Sequence, residues 1–280
     1  MSLVRIALRI AGVQALRGNT DVGANVLDSQ IGAIDIGADN RIRTDQKKPF
    51  LALYTDTAKS GANAGSGDAF DLGARVLTLN GVTDIVIEAG VTAAMTTIDP
   101  DTDTEILSGI GVPAIDRNLE AQLDIIIRQV CTALNDPDNE WADIFRGLTH
   151  RYVRIERLRA ATPEGQRIAA HQLRITASLI DDPLPGEGLD PEGVFARFLS
   201  KAASVEADPD LAAIVAKFAT LIGGTDADWE ALQRSHGFTR AELLALGRGP
   251  LPDDDERATP EFETGRIETS GYSPTAEVEG

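Results

Sequence analysis

A glycine-rich segment between residues 61 and 73 contains the residues whose spacing comes nearest to a catalytic motif. Gly65, Gly67 and Asp68 lie close together within it. Glycine amides can surround a phosphate, and a carboxylate beside them can accept the proton of a substrate hydroxyl. This arrangement would suit phosphoryl transfer, and the segment is the first candidate for enzymatic chemistry in the chain.

Residues 65–70 resemble the anion-hole signature of the sugar kinases of the ribokinase family, in which the aspartate is the general base. In that family the motif follows a long α/β domain, whereas here only 64 residues precede it and no βαβ series surrounds it. A mobile glycine loop between strands is therefore the preferred interpretation. A ribokinase-like small-molecule kinase using Asp68 is kept as the alternative from a different functional class.

The other candidates for metal chemistry lack the required spacing. Asp99, Asp101 and Asp103 imitate the start of a calcium loop, but Thr104 and Ile110 occupy the positions that need glycine and glutamate. No two of the three histidines have a ligand spacing, so a histidine site would have to be assembled from distant segments. The sequence therefore predicts no catalytic residues, no cofactor and no metal.

Composition argues against several functional classes. The 280 residues include 44 acids and 26 lysines and arginines, which gives a formal net charge of −18. Binding to nucleic acid or to an anionic membrane needs an excess of cations, so both are disfavoured. Cys131 is the only cysteine, which excludes an intrachain disulfide and favours a reducing compartment. No run of 18 apolar residues predicts a membrane span.

Hydrophobic periodicity predicts the elements of the first half. The N-terminal residues form a helix with Leu3, Ile6, Ile10 and Val13 on its apolar face. Residues 49–54 read as a strand that a proline opens.

A hairpin and a long helix follow. Asn80 and Gly81 lie between two apolar runs, 75–79 and 82–89, and favour a type I′ turn that joins them. Asp116 can cap a helix with an apolar stripe from Leu119 to Leu134, and Cys131 is expected to be buried on its apolar side. The remaining elements are a short helix at 141–148 and strands at 152–158 and 173–179, the last with one wet face.

The second half is predicted to be helical. After a break at 181–186, Asp190-Pro191 and Asp208-Pro209 each place a carboxylate at the N-cap and a proline at the first helical position. Thr239 and Glu242 have the spacing of a capping box. Residues 251–280 contain nine acids and two arginines, and their low apolar content predicts disorder unless a partner holds them.

These elements predict an α+β fold, with a small mixed or antiparallel sheet flanked by helices, followed by a small all-helical module and an acidic extended tail. The expected boundaries are 1–185 for the α+β domain, 186–250 for the helical module and 251–280 for the tail.

The order of the elements resembles that of the tail terminator, or tail completion, proteins of long-tailed bacteriophages. The resemblance covers about the first 180 residues, and none of its motifs is catalytic. The segments that carry it are 3–16, 26–29, 49–56, 83–92 and 119–148.

The resemblance implies a virion structural protein, assembled in the host cytoplasm, that forms a homohexameric ring and is not an enzyme. The ring would cap the tail tube and join it to head-completion or neck proteins, while genomic DNA passes through the lumen without specific binding. The helical module and the acidic tail depart from the family pattern. A head-to-tail adaptor or stopper of the neck, built on a similar core, is therefore the structural alternative.

Contacts between subunits are expected at two places, the cations of the first helix and the glycine-rich segment with the strand that leads into it. Glycine-rich loops that order only against a neighbour would suit interlocking subunits. The candidate interface residues are Arg5, Arg9, Asp56, Gly61, Gly65, Gly67, Asp68 and Phe70.

Overall fold

A computed structural model describes residues 2–29, 35–36, 42–43, 48–60, 75, 79–91, 93–98, 105–111, 116–161, 167–186, 188–205, 209–224, 228–249, 264–267 and 276–279. The helices are α1 (Leu3–Leu16), α2 (Arg117–Leu134), α3 (Glu140–Gly147), α4 (Val194–Ala203), α5 (Pro209–Ile222), α6 (Asp228–His236) and α7 (Arg240–Ala245). The strands are β1 (Val26–Asp28), β2 (Asp35–Ile36), β3 (Ile42–Arg43), β4 (Phe50–Lys59), β5 (Val82–Gly90), β6 (Ala93–Ile98), β7 (Glu105–Gly111), β8 (Thr149–Ala161), β9 (Arg167–Leu179), β10 (Thr264–Ile267) and β11 (Ala276–Glu279).

A five-stranded mixed sheet with the order β1-β4-β5-β9-β8 lies at the centre of the first compact unit. β1 is parallel to β4, and the other neighbours are antiparallel. The register aligns Leu53, Ile87 and Leu173 on one face, and all three are buried. The predicted α+β class, with a small mixed sheet flanked by helices, is confirmed.

Alternating burial along β9 confirms the predicted strand with one covered face. Leu173, Ile175 and Ala177 are buried, whereas Arg174 and Thr176 between them are partly exposed. Side chains of successive strand residues point to opposite faces, so this period of two separates a core face from a polar face.

Helix α1 packs against the sheet. Its buried face coincides only in part with the predicted apolar stripe. Its fully buried side chains are Val4, Ala7, Leu8, Ala11, Ala15 and Leu16. Leu3 and Ile6, which were placed on the apolar stripe, are only half-buried. The helix can approach the sheet closely at Gly12, where a Cβ atom would lie 2.7 Å from Leu53 Cδ1.

The start of α1 is held by a carboxylate far along the chain. Asp182 accepts hydrogen bonds from the amides of Leu3 (2.8 Å) and Val4 (3.0 Å) and from the Ser2 hydroxyl (2.6 Å). The Ser2 oxygen in turn accepts from the amide of Arg5 at 3.1 Å. The first amides of a helix lack intrahelical partners, so these contacts satisfy them and place a negative charge at the positive end of the dipole.

The long helix α2 follows its prediction closely. Asp116 caps it by accepting from the amides of Asn118 and Leu119, both at 2.8 Å. Cys131 is only partly buried, because it lies at the margin of the apolar face rather than within it. The buried residues of the helix are Leu123, Ile126, Ile127, Val130, Ala133 and Leu134.

Strand β5 confirms the prediction for residues 82–89, but the predicted hairpin with 75–79 is wrong. β5 already has β4 on one side and β9 on the other, so neither edge is open to another strand. A type I′ turn also needs positive φ at both central residues. Gly81 has φ of 56°, but Asn80 does not have positive φ. The Asn80 side chain instead donates to Ile180 O at 2.7 Å and to Asp182 at 3.0 Å.

A second sheet of four strands has the order β2-β3-β7-β6. β6 and β7 pair antiparallel as far as Ile98 and Glu105 and therefore form a hairpin. The acidic loop predicted around Asp99, Asp101 and Asp103 would connect these strands, but it lies outside the described residues.

Four helices, α4 to α7, lie in the second half of the chain, and one of the predicted helix starts is wrong. α4 begins at Val194 with Gly193 as its N-cap, so the helix does not start at Asp190-Pro191. The carboxylate of Asp190 is engaged in a turn, where it accepts from the amide of Glu192 at 3.0 Å. α5 begins at Pro209, as expected, whereas Asp208 lies outside the described residues.

An aromatic cluster connects α4 and α5 with the helix α3. The rings of Phe195 and Phe218 stack with centroids 5.9 Å apart, and Phe198 lies 6.4 Å from Trp141 of α3. This packing groups residues 189–219 with the sheet in one compact unit. The predicted boundary near residue 185 stays a prediction.

The second compact unit contains residues 73–77, 184–188 and 220–280. Thr239 and Glu242 form the predicted capping box of α7, with the Thr239 amide donating to Glu242 at 2.7 Å. β10 and β11 pair antiparallel within the acidic tail. The other residues of 251–280 lie outside the described part, and their disorder stays a prediction.

Candidate functional site

The described residues include three of the predicted interface residues, and all three contact their own chain. The Arg5 guanidinium donates to Asp56 O at 3.1 Å, and Arg9 forms an ion pair with Asp28. These bonds fix α1 to the ends of β1 and β4. Outside the described residues lie Gly61, Gly65, Gly67, Asp68 and Phe70.

Strand β8 lies at one edge of the central sheet, and β1 lies at the other. β8 pairs with β9 on one side, and among the described residues no strand pairs with its other side. An edge of this kind presents a row of backbone donors and acceptors to solvent, which can pair with another chain. At 13 residues β8 is more than twice the length of an ordinary strand.

The charge of β8 is opposite to that of the whole chain. The strand contains one acid, Glu156, and four arginines, and therefore carries a net charge of +3. The whole chain has a net charge of −18, so the residues outside β8 together carry −21. The ion pairs in this region include Arg154 with Glu156 at 2.7 Å and Arg159 with Glu120 of α2. The arginines are Arg151, Arg154, Arg157 and Arg159.

Large apolar side chains are exposed between these arginines. Tyr152, Ile155 and Leu158 are 39%, 48% and 43% exposed. Ile155 lies opposite Ile175 and Leu158 opposite Gln172, so the two side chains project from opposite faces of the sheet. The apolar surface therefore extends around the edge. We call residues 150–159 with their side chains the β8 edge surface.

The β8 edge surface combines three features that favour protein–protein contact. Its backbone can extend a sheet by strand addition, its apolar side chains can be buried, and its arginines can select an acidic partner.

On the polar face of the sheet, the Glu88 carboxylate of β5 accepts a hydrogen bond from a side chain of each neighbouring strand. The Tyr54 hydroxyl donates to Glu88 at 2.7 Å, and the Gln172 amide donates to the same carboxylate at 3.0 Å. Burial and the Glu88 carboxylate raise the pKa of Tyr54, so this phenol stays protonated and cannot act as a base near neutral pH.

A groove between α3 and α4 contains charged side chains, but these neutralise one another. Glu140 pairs with Lys201, and Asp143 pairs with Arg197 across the groove. These pairs lower the pKa of both carboxyl groups. The pairing joins two helices and does not prepare a reactive group.

No protein-family model matches this chain, and no curated protein is significantly similar to it in sequence. The assignment of a function therefore depends on the geometry of the chain itself. Among the described residues, no helix has the length and apolar character that crossing a membrane would require.

The sequence predicted the strand at 152–158 but did not predict that this strand forms an exposed surface. A usable signal was present, because Arg151, Arg154, Arg157 and Arg159 are concentrated in a chain with an excess of acids. What the sequence could not show is that β8 lies at the edge of the sheet. Sequence reasoning also missed a cluster of Glu120, Asp124 and His171, whose residues come from α2 and β9 and could hold a metal ion.

Proposed function

We propose that this chain is a virion structural protein, similar in role to a phage tail terminator, that assembles with copies of itself into a ring. The observation that carries the proposal is the β8 edge surface, a long strand that pairs with β9 on one side, leaves its other side without a described partner strand, and is basic and apolar in an otherwise acidic chain. Such a surface would be a liability in a protein that stays monomeric. In a protein that assembles with copies of itself, the same surface can form the contact between subunits.

The charges of β8 favour a ring over a simple dimer. If β8 paired with β8 of a second copy, the arginines of both strands would be brought together, and like charges across strands are destabilising. The remainder of the chain carries −21 and offers acidic surface to the +3 of β8. Contact between two different surfaces repeats from subunit to subunit, and it closes into a ring when the rotation allows.

The excess of acids supports the same role. DNA passing through the lumen of a ring must not adhere to its wall. A net charge of −18 per subunit repels a polyanion, provided that the arginines of β8 are covered in the contacts between subunits. The partners would be the tail tube protein on one side and head-completion or neck proteins on the other, in the virion of a phage assembled in the host cytoplasm.

The mass and shape of the purified protein test the proposal. Six subunits of 29.8 kDa give a particle of about 180 kDa, which sedimentation and light scattering would detect and electron microscopy would show as a ring with a hole. Raising the salt concentration should weaken the assembly, because the complementary charges are screened. A monomer whose melting temperature rises with ATP would overturn the proposal and support a kinase that uses Asp68.

A further inference from the structure

Three side chains that could bind a metal converge where α2 crosses β9. Glu120 and Asp124 lie one helical turn apart on α2 and face His171 of β9. Glu120 Oε2 lies 3.8 Å from His171 Nε2, and Asp124 Oδ1 lies 3.6 Å from His171 Nδ1. One ligand atom from each residue lies within 4.8 Å of the other two.

The imidazole of His171 is the feature that needs a ligand. The residue is 6% exposed, and its Nε2 atom has no hydrogen-bond partner. A buried polar atom without a partner costs free energy, so such atoms are normally satisfied by protein, water or an ion. Histidine is also the commonest metal ligand among side chains.

We propose that Glu120, Asp124 and His171 form a binding site for a divalent transition-metal ion such as Zn²⁺. Imidazole with two carboxylates suits zinc and its first-row neighbours, whereas Mg²⁺ prefers oxygen ligands alone. Ligands about 2.0–2.1 Å from a tetrahedral zinc lie roughly 3.3 Å from each other. One ion binds only one of the two ring nitrogens, and one ligand atom from each residue lies within 4.8 Å of the other two. Side-chain rotations that bring these atoms closer by at most about 1.5 Å would give the zinc geometry.

The charges and exposure around the site are compatible with a cation. A neutral imidazole and two ionised carboxylates are the forms of these groups that bind metal. Arg159 pairs with Oε1 of Glu120 and leaves Oε2 directed towards the imidazole. The two carboxylates and one guanidinium give a net charge of −1 before the ion binds. The side chain of Asp124 is 63% exposed, so the ion has a path of entry and can keep water ligands.

Titration of the chelator-treated, tag-free chain with Zn²⁺ by calorimetry tests this site. We expect one equivalent to bind per chain and to raise the melting temperature. Asp124→Asn should weaken binding by at least about tenfold without changing the fold, since this side chain is exposed. His171→Ala should abolish the site, and its fold can be checked by circular dichroism before titration.

Matched controls separate this site from adventitious binding to an acidic protein. His150→Ala removes an exposed histidine, and Asp138→Asn neutralises an exposed carboxylate, both outside the cluster. Each control should bind zinc as the unaltered chain does. The proposal is overturned if the unaltered chain binds no stoichiometric zinc, or if Asp124→Asn and His171→Ala leave the isotherm unchanged. This test does not depend on the oligomeric state, so it can fail while the ring proposal stands.

Discussion

Replacing Ile155 by glutamate should break the assembly of subunits while leaving the subunit folded. Ile155 lies near the middle of the β8 edge surface, opposite Ile175, and is 48% exposed in the single chain. If a neighbouring copy covers it, a glutamate at this position would lose apolar burial and would place a carboxylate against an acidic partner. Both effects act on the contact between subunits rather than on the core.

The size of the effect follows from the exposed fraction. Full burial of an isoleucine side chain is worth about 1.5–3 kcal/mol, so covering the 48% that is exposed contributes about 0.7–1.4 kcal/mol. Burying a carboxylate without a full set of partners costs roughly a further 1–3 kcal/mol. The sum of about 2–4 kcal/mol corresponds to a loss of roughly 30- to 1000-fold in the affinity of each contact. Each subunit of a ring makes the contact twice.

Sedimentation velocity over a range of protein concentrations measures this loss directly. The Ile155→Glu variant should sediment as a monomer at concentrations where the unaltered chain forms its full assembly. Ile125→Glu is a matched control, because Ile125 is 52% exposed on α2 and receives the same substitution away from β8. If Ile155→Glu assembles normally while Ile125→Glu does not, the contact lies elsewhere and the reasoning from β8 is refuted.

Three further predictions concern the fold that carries this surface. Gly12→Ala places a methyl group 2.7 Å from Leu53 Cδ1, and urea unfolding should show a loss of about 1–3 kcal/mol. Phe218→Ala removes a ring from the aromatic cluster and should cost about 3–5 kcal/mol in one cooperative transition followed by tryptophan fluorescence; a separate early transition would instead indicate an independent helical module. Burial alone would raise the pKa of Asp84, but hydrogen bonds from Thr176 and Thr57 hold it below its ordinary value. Thr176→Val should therefore destabilise the chain at pH 7. In urea unfolding at several pH values the difference should shrink as the pH falls from about 4, where the unfolded carboxylate becomes protonated, through the lower pKa of the folded state, where the folded carboxylate is protonated too.

Elements whose evidence is local could be predicted from the sequence. Asp116 and the apolar stripe behind it fix both the start and the buried face of α2. Alternation along 173–179 fixes the strand β9 and its wet face. In both cases the period of the side chains matches the geometry of the element, so a short window of sequence contains the information needed.

Features that depend on pairing between distant segments could not be predicted in this way. Asn80 and Gly81 have the composition of a tight hairpin turn, but β5 pairs with β4 and β9 and Asn80 bonds to Ile180 and Asp182 instead. The preference of Asn80-Gly81 for a tight turn contributes less free energy than the pairing of β5 with both of its neighbours in the sheet. Tertiary packing therefore decided the partner of β5, and the turn adapted to it.

The cluster of Glu120, Asp124 and His171 could not be predicted from the sequence for the same reason. The spacing of Glu120 and Asp124 on one helix face is visible in the sequence, but so are many other pairs of acids in a chain that contains 44. What distinguishes this pair is the register of β9, which places His171 opposite Arg159 of β8 and beneath α2. A shift of one residue in that register would turn the imidazole to the polar face.

The position of β8 also has a consequence for how an assembly could grow. A contact between β8 and a different, acidic surface has a direction, so each added subunit presents the same free surface as the one before it. Subunits joined by such a contact form an open filament unless the rotation between neighbours closes them into a ring. In the proposed ring the contact must close, and the rotation is set by how the edge of the sheet meets its acceptor. Changes that alter the bulges of β8, such as the one between Tyr152 and Arg154, should therefore alter the number of subunits before they abolish the contact.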